Sequence, residues 1–417
     1  MFAHVSKFFV LFASVVILLT GHGLQLTLLP LRAERLGFTV EEIGATGSFY
    51  FLGFLLGCIS IPRFVASVGH IRVFNTTTTL CGAALLLVLL TESVGVWCGL
   101  RFATGVGISG CYLIIESWLN EQTQEHMRGR VLAIYTMLVL AAMTLGQVLV
   151  NVGKPESVPP VVLGSLLLSL AVVPVSLSRV RQPAKLRGAG FKLREVFHAA
   201  PAAVGGALGI GMVTGTLYTL TPVFGIRAEM DVADVSLLMI AMVAGGAMFQ
   251  FPVGRVSDHF DRRGVMVTLL STGFIVALLA GFLVVAPWAL IATLFVSGGV
   301  ANAIYPICLA HANDRLPGRF MQVGTVVLLV NAAGAVVGPL LAAYAMAVFG
   351  APGFFWFMAA GFILTTAWIG SFIKRREAPL TTRRFVNTAK SSPALMALDP
   401  RASAEAEVAQ PGSESDD

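Results

Sequence analysis

The chain has 417 residues, of which 56% are hydrophobic and only 12% charged, and its mean hydropathy is +0.83. These proportions exclude an ordinary soluble globular protein and point to a chain solvated mostly by lipid. The formal net charge of +6 is accounted for by insertion signals and lipid-headgroup contacts, so no nucleic-acid partner is expected.

The apolar residues come in runs of about 18 to 25, the length an α-helix needs to cross a hydrocarbon core roughly 30 Å thick. Barrel strands would need about half that length. In chain order, spans are predicted at 8–30, 43–62, 73–92, 96–119, 131–150, 161–178, 201–224, 235–254, 265–285, 287–310, 321–347 and 354–373. The expected fold is therefore an all-α membrane protein of twelve transmembrane helices. The first run follows Lys7 and is too long for the apolar region of a cleaved signal peptide, so it reads as a retained signal anchor. With both termini cytoplasmic, 23 of the 28 Lys and Arg residues fall inside, and 4 (Arg32, Arg35, Lys154 and Arg227) fall outside. Arg101 lies within a span. Basic loops resist translocation, so this asymmetry predicts that orientation, in a cell (inner) membrane.

A basic stretch at 179–200 follows the sixth span and reads as a cytoplasmic linker between a first half, 1–178, and a second half, 201–374. The halves are related. A slide of 192 residues without a gap puts Gly23 on Gly215, Thr27 on Thr219, Pro30 on Pro222, Gly53 on Gly245 and Arg63 on Arg255. A slide of 193 then matches Phe102, Gly105, Tyr112 and Asn120 to Phe295, Gly298, Tyr305 and Asn313. An ungapped register across three helices indicates two six-helix repeats. Beyond Arg376 the chain turns to Ser, Pro, Ala and acidic residues, and 375–417 is expected to be a disordered cytoplasmic tail.

The five cysteines, Cys58, Cys81, Cys98, Cys111 and Cys308, all fall within or at the ends of spans, without metal or redox spacing, and read as small packing residues. No cofactor or metal is expected. The sequon at Asn75 lies at the cytoplasmic end of the third span and should be silent.

Three motifs carry a resemblance. After the eighth span comes Gly254-Arg-Val-Ser-Asp258-His-Phe-Asp261-Arg262-Arg263, and the first half has a degraded copy, Gly57 to Pro62-Arg63, then Gly69-His70-Ile71-Arg72, with Ala66 in place of Asp258. The fourth span holds Arg101-Phe-Ala-Thr-Gly105-Val-Gly107 and closes on Glu116-Ser117-Trp118-Leu119-Asn120. Over about residues 8–374 the chain resembles the major facilitator superfamily, and Glu116 to Asn120 is similar to a branch of poorly characterised bacterial facilitators and putative efflux proteins. The antiporter signature of that superfamily, a Gly-Pro in the fifth helix, is missing: Gly146 is followed by Gln147, and Gly338-Pro339 occurs only in the eleventh.

The resemblance implies alternating access, with helices one, four, seven and ten around a central cavity. It would bring Arg101, Gln25 and His22 together there. An arginine inside a span must be paired or wetted; the competing reading has Arg101 snorkel to the outer headgroups. Tyr112, its repeat mate Tyr305, Asn302, Thr216 and Tyr218 are further candidate cavity groups, each equally readable as an interhelical packing residue. Gating is expected from two cytoplasmic turns. One pairs Glu116 with Arg63 or Arg72, unless Glu116 is simply hydrated; the other uses Asp258, Asp261, Arg262 and Arg263, unless these are only positive-inside charges. The glycine pairs Gly53/Gly57 in helix two and Gly334/Gly338 in helix eleven permit close approach, and in the superfamily fold those helices meet across the halves.

The expected function is secondary active or facilitative transport of a small solute, efflux being one direction open to it. The chain is expected to be a monomer in the lipid bilayer. Protons are a candidate co-substrate through His22 or Glu116. A non-transporting sensor or assembly factor on the same fold is the rival. An enzyme is not expected, since no nucleophile with base, metal-spaced cluster or phosphate loop is present.

Overall fold

The computed structural model describes residues 2–177, 191–283, 286–373 and 392. Among them are twelve helices long and apolar enough to cross a membrane. The first half comprises α1 (Phe2–Arg35), α2 (Val40–Val68), α3 (His70–Leu87), α4 (Val94–Gln122), α5 (Arg128–Leu149) and α6 (Val158–Leu170), with a short helix Val172–Ser176 continuing α6. The second half comprises α7 (Pro201–Arg227), α8 (Val232–His259), α9 (Arg262–Phe282), α10 (Pro287–Arg315), α11 (Phe320–Phe349) and α12 (Gly353–Gly370). Of the predicted linker, residues 191–200 are described and hold a short helix, Leu193–Ala199. Residues 178–190 and, except for Ser392, the predicted tail lie outside the described residues.

Several helices begin where the sequence supplies a local reason. Thr39 caps α2 by accepting from the Glu42 N–H while Glu42 accepts from the Thr39 N–H at 2.8 Å, a reciprocal capping box. Its repeat mate Asp231 caps α8 by accepting from the Asp234 N–H at 2.8 Å. Pro201 and Pro287 open α7 and α10, where a missing N–H costs nothing. Helices of 27 to 30 residues such as α7, α8 and α11 are about 40–45 Å long, so their ends project past the hydrocarbon core.

The outside of the bundle is apolar: Leu177 is 82% exposed and Trp288 74%, as expected where lipid is the solvent. Lipid tails give helices no hydrophobic reason to associate, so close packing and polar contacts hold them together. The repeat supplies both. Gly53 of α2 lies against the Phe102 carbonyl of α4, and its mate Gly245 of α8 against the Phe295 carbonyl of α10, with no room for a Cβ at either. The glycines that match between these helices thus sit where backbones touch. Buried polar ties add to this: Gln147 of α5 donates to the Gly23 carbonyl of α1 at 3.1 Å and accepts from Thr27. The Gln147 that interrupts the expected Gly-Pro therefore fastens α5 to α1.

We call the end of the bundle bearing residues 36–39 the first-loop face and the opposite end the linker face. The two halves meet at the first-loop face. Arg227 at the end of α7 donates to Glu34 of α1 at 2.9 Å, and Asn151 beyond α5 donates to Ser236 of α8 at 3.1 Å. Helices α2 and α11 do meet across the halves, as expected, but through Gly44 against Pro339 and Ala343. The pairs Gly53/Gly57 and Gly334/Gly338 instead seat α2 on α4 and α11 on α7, inside their own halves.

Candidate functional site

A cavity of about 200 Å³ lies between the halves. The first half contributes His22, Tyr50 and Tyr112, and the second contributes Tyr218, Asn302 and Asn331. Apolar walls such as Phe54 and Met143 fill the rest, and among the described lining residues there is no Asp, Glu, Lys or Arg. Thr136 and Gln250 extend the lining along α5 and α8 toward the linker face. Such a space, apolar with a few polar groups, suits an amphipathic small molecule.

One wall is a chain of polar contacts. The Gln25 amide nitrogen meets His22 Nδ1 at 3.0 Å, and His22 Nε2 meets the Tyr50 hydroxyl at 3.3 Å. An amide nitrogen only donates, so Nδ1 accepts and Nε2 carries the ring proton and donates to Tyr50 Oη. That leaves the Tyr50 O–H as a donor of its own. The Arg101 guanidinium carbon sits 4.5 Å from the Tyr50 ring centroid, a cation–π contact.

The structure therefore brings Arg101, Gln25 and His22 to one place, as the sequence led us to expect. Arg101 is only 3% exposed, so it stays inside the protein and does not snorkel outward. It stands behind Tyr50, however, not in the lining, and Gln25 is likewise fully buried behind His22. Of the other candidates, Tyr112, Tyr218 and Asn302 line the cavity. Thr216 and Tyr305 do not. The Thr216 hydroxyl is turned onto the Met212 carbonyl at 3.0 Å, and Tyr305 is fully buried within the helix packing. Sequence reasoning passed over Tyr50, Gln250 and Asn331. A signal existed for Asn331, an amide eleven residues into an otherwise apolar run; its Nδ2 donates to the Ala207 carbonyl of α7 at 2.9 Å, leaving its oxygen as an acceptor.

The gating candidates divide sharply. In the second half, Arg262 is nearly buried and binds Asp314 of α10 at 2.7 Å and Asp258 at 3.5 Å. Arg263 binds Asp261 at 2.8 Å and donates to the Phe372 carbonyl at 2.8 Å, tying the turn to the end of α12. Asp261 also caps α9. Burial acts to raise its carboxyl, but hydrogen bonds from Arg263 and the Arg263 charge outweigh it and hold the group below its ordinary value. In the first half, the expected lock between Glu116 and Arg63 or Arg72 does not form. Both arginines are exposed while Glu116 is fully buried; it accepts from Tyr135 of α5 at 3.0 Å and from Ser392. The helical face that carries Glu116 is turned into the packing, out of reach of the turn at residue 69.

Two six-helix repeats enclosing a cavity at their interface define a membrane-transporter architecture. A sequence model of the major facilitator superfamily matches residues 11–233 and 225–398, and the chain belongs to that superfamily. It is a multi-pass membrane protein and a transmembrane solute transporter. It is similar to the uncharacterized MFS-type transporter YcaD of Salmonella arizonae and of Salmonella typhimurium, at 28% identity over 329 residues, 77% of this chain and 84% of each relative. Its fold matches a variant of the nucleoside transporter NupG with a TM-score of 0.76 at 12% identity, covering 88% of this chain and 100% of the other. A bacterial homolog to the human lysosomal transporter Spinster matches with a TM-score of 0.70 at 17% identity, covering 89% and 99%.

Proposed function

We propose that this chain moves a small amphipathic solute across a cell inner membrane by alternating access, with the linker face and both termini in the cytoplasm. The observation that supports this best is the position of the cavity. Both halves wall it, yet they are joined by Glu34–Arg227 and Asn151–Ser236 on the first-loop side. A rocking of one half against the other would exchange the closed side for the open one. The basic loops supply the orientation. The chain works as a monomer, because each chain contains a whole cavity.

The described lining holds no carboxylate. Transport is either facilitative or coupled to protons through His22, which lines the cavity, or Glu116, which is buried on α4. The test is paired. A cysteine at Asn302 should react with a membrane-impermeant maleimide applied from the linker side and be protected from the first-loop side. In proteoliposomes containing the purified chain, flux of a solute found by profiling a deletion strain should appear, and a pH gradient should drive it only if protons are coupled. Labelling from the first-loop side alone would overturn the assigned state, and absence of any solute phenotype or flux would favour a non-transporting sensor.

A further inference from the structure

We infer that the cavity selects organic anions over cations, its recognition end being the His22–Tyr50 wall backed by the charge of Arg101. This deepens the transport reading and rests on it. Arg101 is a buried charge whose Nη1 has no hydrogen-bond partner among the described residues. Its contact is the face of Tyr50, a ring that also forms cavity wall. A buried cation with one nitrogen unpartnered and an aromatic face as its close contact is under-compensated, because an aromatic quadrupole offers much less than a carboxylate or the water it replaces. An anion lodged in the cavity beside Tyr50 and His22 supplies the missing counter-charge, in surroundings where charge is weakly screened.

The hydrogen-bond polarity of the wall agrees. Because His22 donates to Tyr50 Oη, the Tyr50 O–H is left to donate into the cavity, where a carboxylate, sulfonate or phosphate oxygen would accept it. No Asp or Glu among the described lining residues competes for a cationic substrate. The buried carboxylate nearest along α4, Glu116, lies fifteen residues from Arg101, about 22 Å along the helix axis. It already accepts from Tyr135 and Ser392. The charge next to the cavity wall is thus positive and lies toward the closed first-loop side, behind Tyr50. An anionic head would seat deep, with its apolar body against Phe54, Leu26 and Met143.

The test reads the local potential directly and needs no known substrate. Leu26 lines the cavity one turn from His22, and all five native cysteines are buried. In the full-length chain with those five replaced by alanine, Leu26→Cys is reacted with 2-sulfonatoethyl methanethiosulfonate and with 2-(trimethylammonium)ethyl methanethiosulfonate. Their rate ratio is compared with that for a small free thiol. The anionic reagent should be favoured by at least about tenfold. Arg101→Gln should remove most of that preference and Arg101→Lys, which keeps the charge, should retain it; agreement of the two variants with these expectations also guards against a fault in folding of either one. A ratio at or below that of the free thiol, or one unchanged in Arg101→Gln, overturns the inference while leaving transport itself untouched. A thiol that neither reagent reaches overturns the accessible cavity, and the inference with it.

Discussion

The two turns at the linker face occupy the same place in the two repeats and are held by different physics. In the second half, Arg262 binds Asp258 and Asp314, and Asp261 caps α9 while pairing with Arg263. A slide of 192 residues puts Ala66, Gly69 and His70 where these have Asp258, Asp261 and Arg262. Gly69 adopts a positive φ of 93° and gives α3 no side-chain cap. His70 is buried and packs toward Trp118, with ring centroids 6.2 Å apart. The second turn is therefore an ionic clasp spanning α8, α9, α10 and α12, while the first is an aromatic contact between α3 and α4. Ion pairs are specific in geometry and sensitive to charge; ring packing tolerates rearrangement. The lesson is that a degraded motif copy need not be a weak joint, only one answerable to different variables.

That contrast can be broken experimentally. The largest effect should come from Arg262→Ala, which removes the cation shared by two carboxylates that are only partly exposed. A loss on the order of 3 kcal/mol is expected, read as a fall in unfolding temperature of the purified protein in detergent. Combining it with Asp314→Ala should cost less than the two single changes together; strict additivity would show that the clasp is not a coupled unit. His70→Ala should cost about 1 kcal/mol through lost ring packing, and its effect should not depend on salt. Equal or greater damage at His70 than at Arg262 would reverse the contrast.

Acid should weaken the second turn through Asp261. Asp261 has a folded pKa below its ordinary value of 3.8, so its stabilising contribution is fully present above that value and is lost as pH falls through the folded value. Melting curves of wild type and Asp261→Asn should differ at neutral pH and converge as the pH is taken well below about 4; a constant gap across that range would contradict the pairing with Arg263. The smallest effect belongs to Arg63→Ala and Arg72→Ala. Both side chains are exposed, and each change should stay within about 0.5 kcal/mol. A large shift at either would restore a gating role that the burial of Glu116 argues against.

The number of spans, their order and the two-fold repeat were all readable from the chain, because lipid imposes its demands locally: a helix must be long enough, apolar enough and flanked by basic residues in the right loops. The repeat was legible through Gly53, Gly105 and their mates because close backbone contact tolerates no larger side chain. The meeting of Arg101, Gln25 and His22 was an expectation of the superfamily resemblance, which sets helices one and four side by side, together with their similar depths in those helices. Which polar groups face the cavity could not. That depends on the rotation of each helix about its own axis: Tyr112 lines the cavity, whereas Tyr305, its repeat mate, is packed inside. The same rotation sends Glu116 to Tyr135 and not to Arg63, and sets Tyr50 between Arg101 and the cavity. These rotations are fixed jointly by glycine contacts on neighbouring helices, a property of the assembled bundle that no single span encodes.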